Sequence, residues 1–197
     1  MRQDELAFVA ALTTALAGEA TVSTQAAPPW LVRPGRAELG ERWELARGVY
    51  AALTGLEHPD VVPPRERRQL DVILTHADGS NGVVEFDEDQ HFTSERLTTL
   101  GFYDDLDVGF DVEQWGSRAV ALGHKPRGGG FARPKPPLFP GEGGRHRQRA
   151  FRDFLADALP GVHGWRPTVR FMNVELEKLS PDERVDRVRE LWLAKTS

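Results

Sequence analysis

Carboxylates at alternating positions are the feature of the sequence with the clearest chemical potential. Residues 69–75 carry Asp71, and residues 83–88 carry Glu85 and Asp87. Both segments are rich in valine, isoleucine, leucine and phenylalanine, which predicts strands, and the Ala-Asp-Gly-Ser-Asn-Gly run between them predicts a hairpin connection. Because side chains alternate along a strand, Glu85 and Asp87 must share one face.

The register of this hairpin decides whether the carboxylates meet. An antiparallel pairing that puts Asp71 opposite Glu85 or Asp87 gathers three carboxylates on one face and the apolar side chains on the other. A slip by one residue would move acids to the apolar side, so we predict this register. It needs an odd-length connection, for example residues 77–81.

Carboxylates that face one another across strands destabilise a sheet, and a divalent cation relieves that repulsion. Mg²⁺ or Mn²⁺ suits a site with few carboxylates that keeps its waters, and such a metal activates water and stabilises charge on a phosphodiester. We therefore predict that Asp71, Glu85 and Asp87 bind Mg²⁺ or Mn²⁺. The alternative is a solvent-facing acidic hairpin that binds no metal and belongs to an interaction protein.

The hairpin resembles the core of the PD-(D/E)XK nuclease superfamily, whose pattern is an Asp on one strand and Glu-x-Lys on the next. Asp71 and Glu85 match the two acids. Residues 84–92, Val-Glu-Phe-Asp-Glu-Asp-Gln-His-Phe, are similar to the Glu-x-Asp-x-x-x-His segment of the very-short-patch-repair-like branch. The resemblance spans roughly residues 41–174. It implies a restriction-endonuclease-like fold and a Mg²⁺-dependent endonuclease that hydrolyses phosphodiester bonds of DNA.

The sequence departs from the family pattern at Asp87, which stands where the family has its lysine. His91 is the nearest group that can act as a base, and its alternative is an ordinary loop histidine. The resemblance also implies a helix carboxylate, for which Glu44 is the candidate, with a solvated surface acid as its alternative. Arg96 either contacts phosphate or pairs with acids. Without the lysine, a catalytically inactive nuclease-fold protein that binds nucleic acid or acts as a regulatory module stays open.

Positive charge is concentrated in residues 125–152, which hold eight Lys or Arg and one acid, a formal charge of +7. Since the chain totals −5, the remainder carries −12. This segregation of charge favours binding to nucleic acid, with the basic side chains contacting the phosphate backbone. The predicted nucleic-acid-binding residues are Lys125, Arg127, Arg133, Lys135, Arg145, Arg147 and Arg149. The alternative is a solvated loop paired with the acids of residues 104–113.

Other functional classes are excluded by composition. The chain has 197 residues and no cysteine, which rules out disulfide scaffolds, thiolate zinc sites and thiol nucleophiles. It contains no P-loop, no Gly-x-Ser-x-Gly and no His-x₃-His spacing. No apolar run is long enough for a membrane span, so we expect a cytoplasmic protein without a membrane partner. The sequence leaves a homodimer open.

The elements that must position the hairpin acids follow from apolar periodicity. Helices are predicted at residues 41–56 and 145–159, a strand at 166–174, and a last helix that begins with a capping box at Ser180 and Glu183. Residues 115–122 fit a strand or a helix. This order predicts an α/β (α+β) fold, a small mixed sheet with a central antiparallel hairpin flanked by helices. Residues 1–29 are predicted as an N-terminal helix and linker, followed by one nuclease-like domain, 30–197, with a Gly/Pro-rich basic insertion at about 124–144.

Overall fold

Four strands form one mixed sheet at the centre of the protein. The computed structural model describes residues 3–32, 34–62, 69–123 and 132–197. The strands are β1 Ala20–Ala26, β2 Leu70–His76, β3 Asn81–Asp87 and β4 Val169–Met172. They lie in the order β1-β2-β3-β4, with β1–β2 and β2–β3 antiparallel and β3–β4 parallel. The predicted fold class and its central antiparallel hairpin are confirmed.

Helices cover both faces of this sheet. They are α1 Gln3–Ala15, α2 Pro29–Val32, α3 Arg36–Leu39, α4 Trp43–Thr54, α5 Ser94–Leu100, α6 Val112–Gly123, α7 Gly144–Ala158 and α8 Pro181–Lys195. One core lies between the sheet and α1 with α8, and it contains Val72, Val84 and Phe86. The other core lies between the sheet and the layer of α4, α5, α6 and α7, and it contains Val83. The sheet is therefore the middle layer of three.

The hairpin has the predicted register. Val72 lies opposite Val84 and Ile73 opposite Val83, so one further residue brings Asp71 opposite Glu85. The His76 N–H donates to the Ser80 carbonyl at 2.8 Å, which leaves three residues in the turn. Gly79 adopts φ 83°, a left-handed conformation that glycine takes without steric cost. The connection therefore has an odd length, as predicted, but consists of residues 77–79, whereas the sequence-based example was 77–81.

Most of the other elements match the sequence pattern. The helices predicted at 41–56 and 145–159 correspond to α4 and α7, and the open choice at 115–122 is settled as the helix α6. The capping box of α8 is present, with the Ser180 N–H donating to Glu183 Oε2 at 2.9 Å. None of the helices in the described ranges is long and apolar enough to cross a membrane.

The linker predicted within residues 1–29 is wrong, because residues 20–26 form β1. All but one of these residues pair with β2 in the antiparallel ladder. β1 is one of the two edge strands of the sheet, and four of its seven residues are exposed. An apolar signal is consequently weak there, although the Thr-Val-Ser-Thr run was a β-branched hint. The preceding helix α1 also belongs to the core, since Phe8 stacks on Phe86 at 4.7 Å.

The described part of the basic insertion is attached to the helical layer. Residues 124–131 lie outside the described residues, and residues 132–143 contain no helix or extended strand. Lys135 and Phe139 exchange backbone hydrogen bonds of 2.6 and 2.9 Å. Phe139 is buried against Tyr50 and Phe151, and the Tyr50 hydroxyl donates to the Leu138 carbonyl. This stretch is anchored by aromatic packing and does not extend as an arm.

Candidate active site

The acidic face of the hairpin is covered by the helical layer. Glu85 is 4% exposed and Asp87 is 1% exposed, whereas Asp71 is half-buried. For Glu85 and Asp87 this excludes the alternative of solvent-facing acids. Buried carboxylates need a counter-charge, hydrogen bonds or a bound cation, so the surroundings of each acid determine its chemistry.

Asp71 lies where the β2–β3 ladder ends. Its Oδ2 accepts a hydrogen bond of 3.0 Å from the Phe86 N–H, which fixes the carboxylate against β3. Burial raises the pKa of Asp71, while the Phe86 N–H and the charge of His91 oppose that rise. Glu5 and Asp87 add to the rise through repulsion. These groups therefore lie within electrostatic reach of one another.

Asp87 is held by partners on both carboxylate oxygens. Arg170 Nη1 lies 2.7 Å from Oδ1 and 3.0 Å from Oδ2, and Trp115 Nε1–H donates to Oδ2 at 2.7 Å. Burial acts to raise the pKa of Asp87, but the charges of Arg170 and His91 outweigh it and hold the pKa below its usual value. Asp87 is thus an ionised partner of Arg170, and its lone pairs are already engaged by Arg170 and Trp115.

Arg170 connects Asp87 to a wider buried network. Its Nε lies 2.8 Å from Asp157 Oδ1 and its Nη2 donates to the Asp153 carbonyl at 3.1 Å. Asp157 also accepts from Arg96 Nη2 at 3.0 Å. All five of these charged residues are almost fully buried. Arg96 therefore pairs with an acid, the second of the two roles predicted for it.

Sequence reasoning missed Asp153, Asp157 and Arg170 as parts of the site. Both aspartates are in α7, where charged residues alternate with the apolar stripe, a pattern typical of surface residues. The one signal was Arg170 itself, since a charged residue within the apolar run Thr-Val-Arg-Phe-Met must find a partner. Arg170 is also cross-strand from Glu85 in the parallel β3–β4 pair, and Glu85 is among the charges that raise its pKa.

His91 lies four residues beyond the end of β3, at the end of a 3-10 turn from Asp89 to His91. Its Nδ1 lies 3.1 Å from Asp153 Oδ2 and 3.3 Å from Asp87 Oδ1, and its side chain is 17% exposed. In a neutral ring, a carboxylate at Nδ1 favours the tautomer that leaves the lone pair on Nε2. The predicted histidine is therefore held at Nδ1 by two aspartates, and in its neutral form it can accept a proton or a metal at Nε2.

The predicted helix carboxylate, Glu44, does not join the hairpin acids. It is 75% exposed, lies 3.0 Å from Arg47, and lines a surface pocket to which no hairpin acid contributes. The helix carboxylate that acts on Asp71 is Glu5 of α1. That residue was missed because α1 was predicted to stand apart from the sheet. Glu44 is therefore a solvated surface acid, which was the alternative interpretation of this residue.

Part of the basic segment borders the site. Arg149 Nη1 donates to the Gln90 carbonyl at 3.1 Å, next to His91. Arg145 and Arg147 lie in the same first turns of α7, and all three arginines are half-buried. Of the other predicted nucleic-acid contacts, Arg133 is exposed, Lys135 is half-buried, and Lys125 and Arg127 lie outside the described residues. The start of α7 therefore places positive charge beside the acidic face.

A divalent cation at this face would rely on Asp71 and Glu85. Within the described ranges, no three acids or histidines come together in a group that could hold a metal ion. Asp87 is engaged by Arg170 and Trp115, so the candidate ligands are Asp71 and Glu85, the latter within electrostatic reach of Arg170. Mg²⁺ commonly uses one or two carboxylates and takes its other ligands from water and substrate phosphates. The pair of oxygen donors fits that chemistry.

In comparisons with known proteins, no family model, no curated protein and no solved structure matches the chain. No relationship to a known protein therefore supports an assignment of function. The functional conclusion depends on the chemistry of the hairpin face, its buried network and the adjacent arginines.

Proposed function

We propose that this protein is a metal-dependent endonuclease of restriction-endonuclease-like fold that hydrolyses phosphodiester bonds of DNA. The observation that carries the proposal is the hairpin register, which sets Asp71 opposite Glu85 on one face, with His91 in the turn that follows β3. Two carboxylates and a histidine at the end of one strand pair are a suitable set for metal-assisted hydrolysis.

Asp71 and Glu85 would hold the cation, Mg²⁺ or Mn²⁺. The bound metal would supply Lewis-acid stabilisation of the charge that develops on the phosphodiester and would lower the pKa of a water. The Phe86 N–H keeps Asp71 oriented for this role. His91 would take a proton at Nε2, and the carboxylates of Asp87 and Asp153 would stabilise the resulting imidazolium.

In this proposal Asp87 is a positioning residue instead of the third metal ligand predicted from the sequence. Its two oxygens bind Arg170 and Trp115, and it faces His91 Nδ1. The positive charge that the family lysine would bring along β3 is here on Arg170 of β4. Arginine stays protonated in proteins, so Arg170 can stabilise charge but cannot exchange a proton as a lysine does.

A cleavage assay on supercoiled plasmid DNA tests this function. With Mg²⁺ or Mn²⁺ present, the wild-type protein is expected to nick or linearise the plasmid, and Asp71→Asn and Glu85→Gln are expected to abolish cleavage. Glu44→Gln is the matched control, because Glu44 is exposed and apart from the hairpin. Cleavage that survives Asp71→Asn, or fails equally in Glu44→Gln, would contradict the assignment.

A second candidate is a nuclease-fold protein that binds nucleic acid without cutting it. The engagement of Asp87 by Arg170 favours it, because a site with two remaining acids holds metal less firmly than one with three. Fluorescence anisotropy with a labelled duplex distinguishes the two candidates. Salt-sensitive binding that weakens in Arg149→Ala, together with no cleavage in either metal, would support this second function and contradict the first.

A further inference from the structure

The two edges of the sheet differ in how they are covered. At the β4 edge, Gly109 forms a parallel bridge with Val169, and its N–H donates to the Thr168 carbonyl at 2.8 Å. At the β1 edge, no residue of the described ranges pairs with the outer side of the strand. Four of the seven residues of β1 are exposed. An edge strand of this kind presents a row of main-chain groups that can pair with another strand.

The hydrogen-bond pattern of β1 shows which main-chain groups point outward. The Ala77 N–H donates to the Glu19 carbonyl at 3.0 Å, so positions 19 and 77 form a hydrogen-bonded pair of the antiparallel ladder. Hydrogen-bonded and non-hydrogen-bonded pairs alternate along such a ladder. Ala20, Val22 and Thr24 therefore direct their N–H and carbonyl groups away from β2.

The segment that contains this edge is depleted of charge. Residues 6–32 include one charged residue, Glu19, in a chain whose charged fraction is 28%. Glu19 lies 2.6 Å from Arg189 of α8, and β1 itself carries no charged residue. Monomeric proteins commonly protect an edge strand with charged side chains, especially lysine. Depletion of charge is instead typical of the core of a protein–protein interface.

The helix beside this strand has the same character on its outer face. Gln25 Nε2 donates to Glu5 Oε1 at 3.3 Å, which joins the end of β1 to the start of α1, so the two elements run side by side in opposite directions. Exposed and uncharged side chains recur along α1 and the turn after it at spacings of three or four residues, at Leu6, Ala10, Thr13 and Ala17. They form one face of the helix. Strand edge and helix face together make a continuous uncharged surface.

We infer that β1 is the interface of a homodimer, in which the β1 strands of two copies pair antiparallel and join the two sheets. A two-fold axis at Val22 sets this residue opposite Val22 of the partner subunit and Ala20 opposite Thr24 of the partner subunit. Each of these hydrogen-bonded pairs contributes two bonds, about six in all. Gln25 adopts φ 53°, which bends the strand after Thr24 and ends the pairing there.

A second copy is the occupant that this edge fits best. The outward groups of β1 match those of an identical antiparallel strand, and the uncharged side chains bring no like charges together across the axis. The axis is perpendicular to the sheet, so both α1 helices lie on the same face beside it. Because Gly109 covers β4, the pairing closes at two copies instead of growing into a fibre. The interface makes no use of Asp71 or Glu85, so it does not depend on the proposed hydrolysis.

Sedimentation of the full chain without metal or DNA tests the inference, and the wild type is expected to have twice the monomer mass. Thr24→Pro removes one outward N–H from each copy and leaves the β1–β2 ladder intact. It is expected to weaken dimerisation at least about tenfold, because two hydrogen bonds between the copies are lost. Ser23→Lys places two positive charges near the axis and is expected to dissociate the dimer as well. Ser117→Lys is the matched control, because Ser117 is an exposed serine on α6, and it is expected to remain dimeric.

Amide hydrogen exchange locates the interface. The N–H groups of Ala20 and Val22 are expected to be protected in the wild type and to exchange rapidly in Thr24→Pro and Ser23→Lys. A wild type that is monomeric at about 100 µM would overturn the inference. So would a dimer whose Ala20 and Val22 amides exchange rapidly, or one that persists in both β1 variants. Since the measurement contains no metal, failure of the proposed nuclease activity would leave its outcome unaffected.

Discussion

Asp71 and Asp87 lie on the same face of one hairpin, yet their surroundings are opposite. Asp87 is 1% exposed and has Arg170 on both oxygens, whereas Asp71 is half-buried and bonded to the Phe86 N–H. Burial raises the pKa of Asp71, while Arg170 and His91 overcome burial and lower the pKa of Asp87. Two acids that the sequence pattern treats alike are therefore different chemical groups.

The position of Arg170 explains this difference. It comes from β4, which pairs with β3 only, so its guanidinium reaches Asp87, and none of the described strands places a lysine or arginine beside Asp71. The fixed cation gives Asp87 a structural role. The proposed metal site would use Asp71 together with Glu85, which also lies within electrostatic reach of Arg170.

The largest expected effect is on the Asp87 side of the comparison. Arg170→Met would leave Asp87, Asp153 and Asp157 buried without their shared cation, so we expect a loss of about 3–5 kcal/mol in the free energy of unfolding. Urea denaturation measures it. Arg166→Met serves as the control, because Arg166 is 48% exposed and its pair with Asp78 should contribute no more than about 1 kcal/mol. Equal effects of the two variants would mean that the network does not stabilise the fold.

The next effect concerns a buried histidine without a counter-ion. Burial lowers the pKa of His58 from 6.5 to about 4, so the unfolded chain binds a proton more readily between those values. Stability is therefore present above pH 6.5 and is lost as the pH falls toward 4, by about 3 kcal/mol at most. Thermal unfolding across this range should show the slope in the wild type and a flatter profile in His58→Phe. Identical profiles would contradict the burial argument.

A direct comparison of the two aspartates should give a smaller effect. Asp87→Asn removes an ionised partner of Arg170 and is expected to cost about 2 kcal/mol. Asp71→Asn is expected to stay within about 1 kcal/mol of the wild type at pH 7 or to gain stability, because the raised pKa of Asp71 means that its charge is unfavourable in the fold. Denaturation of both variants at pH 7 measures the difference. The reverse order of stability would break the comparison.

The sequence allowed the hairpin and its register to be predicted because both depend on local alternation. Val72 opposite Val84 is the pairing that keeps apolar side chains together, so Asp71 opposite Glu85 follows. β1 escaped prediction because an edge strand with polar side chains lacks that alternation. The helix carboxylate was assigned to Glu44 because no local pattern reveals that α1, which carries Glu5, packs on the sheet through Phe8 and Phe86.

The buried network could not be predicted because its partners are distant in the chain and meet only through packing. Asp87 and Arg170 are 83 residues apart, and His91 and Asp153 are 62 apart. No spacing rule relates such residues without the β3–β4 pairing and the seating of α7 on the sheet. A sequence pattern identified the acids that share a face, but not which of them carried a counter-charge.

The most direct test of the central claim is a calorimetric titration of Mn²⁺ into the wild type, Asp71→Asn and Glu44→Gln. We expect one site in the wild type, the same site in Glu44→Gln, and no binding in Asp71→Asn, with far-ultraviolet circular dichroism showing all three folded. No binding by the wild type at millimolar Mn²⁺, or an unchanged site in Asp71→Asn, would contradict the claim that Asp71 and Glu85 hold the metal.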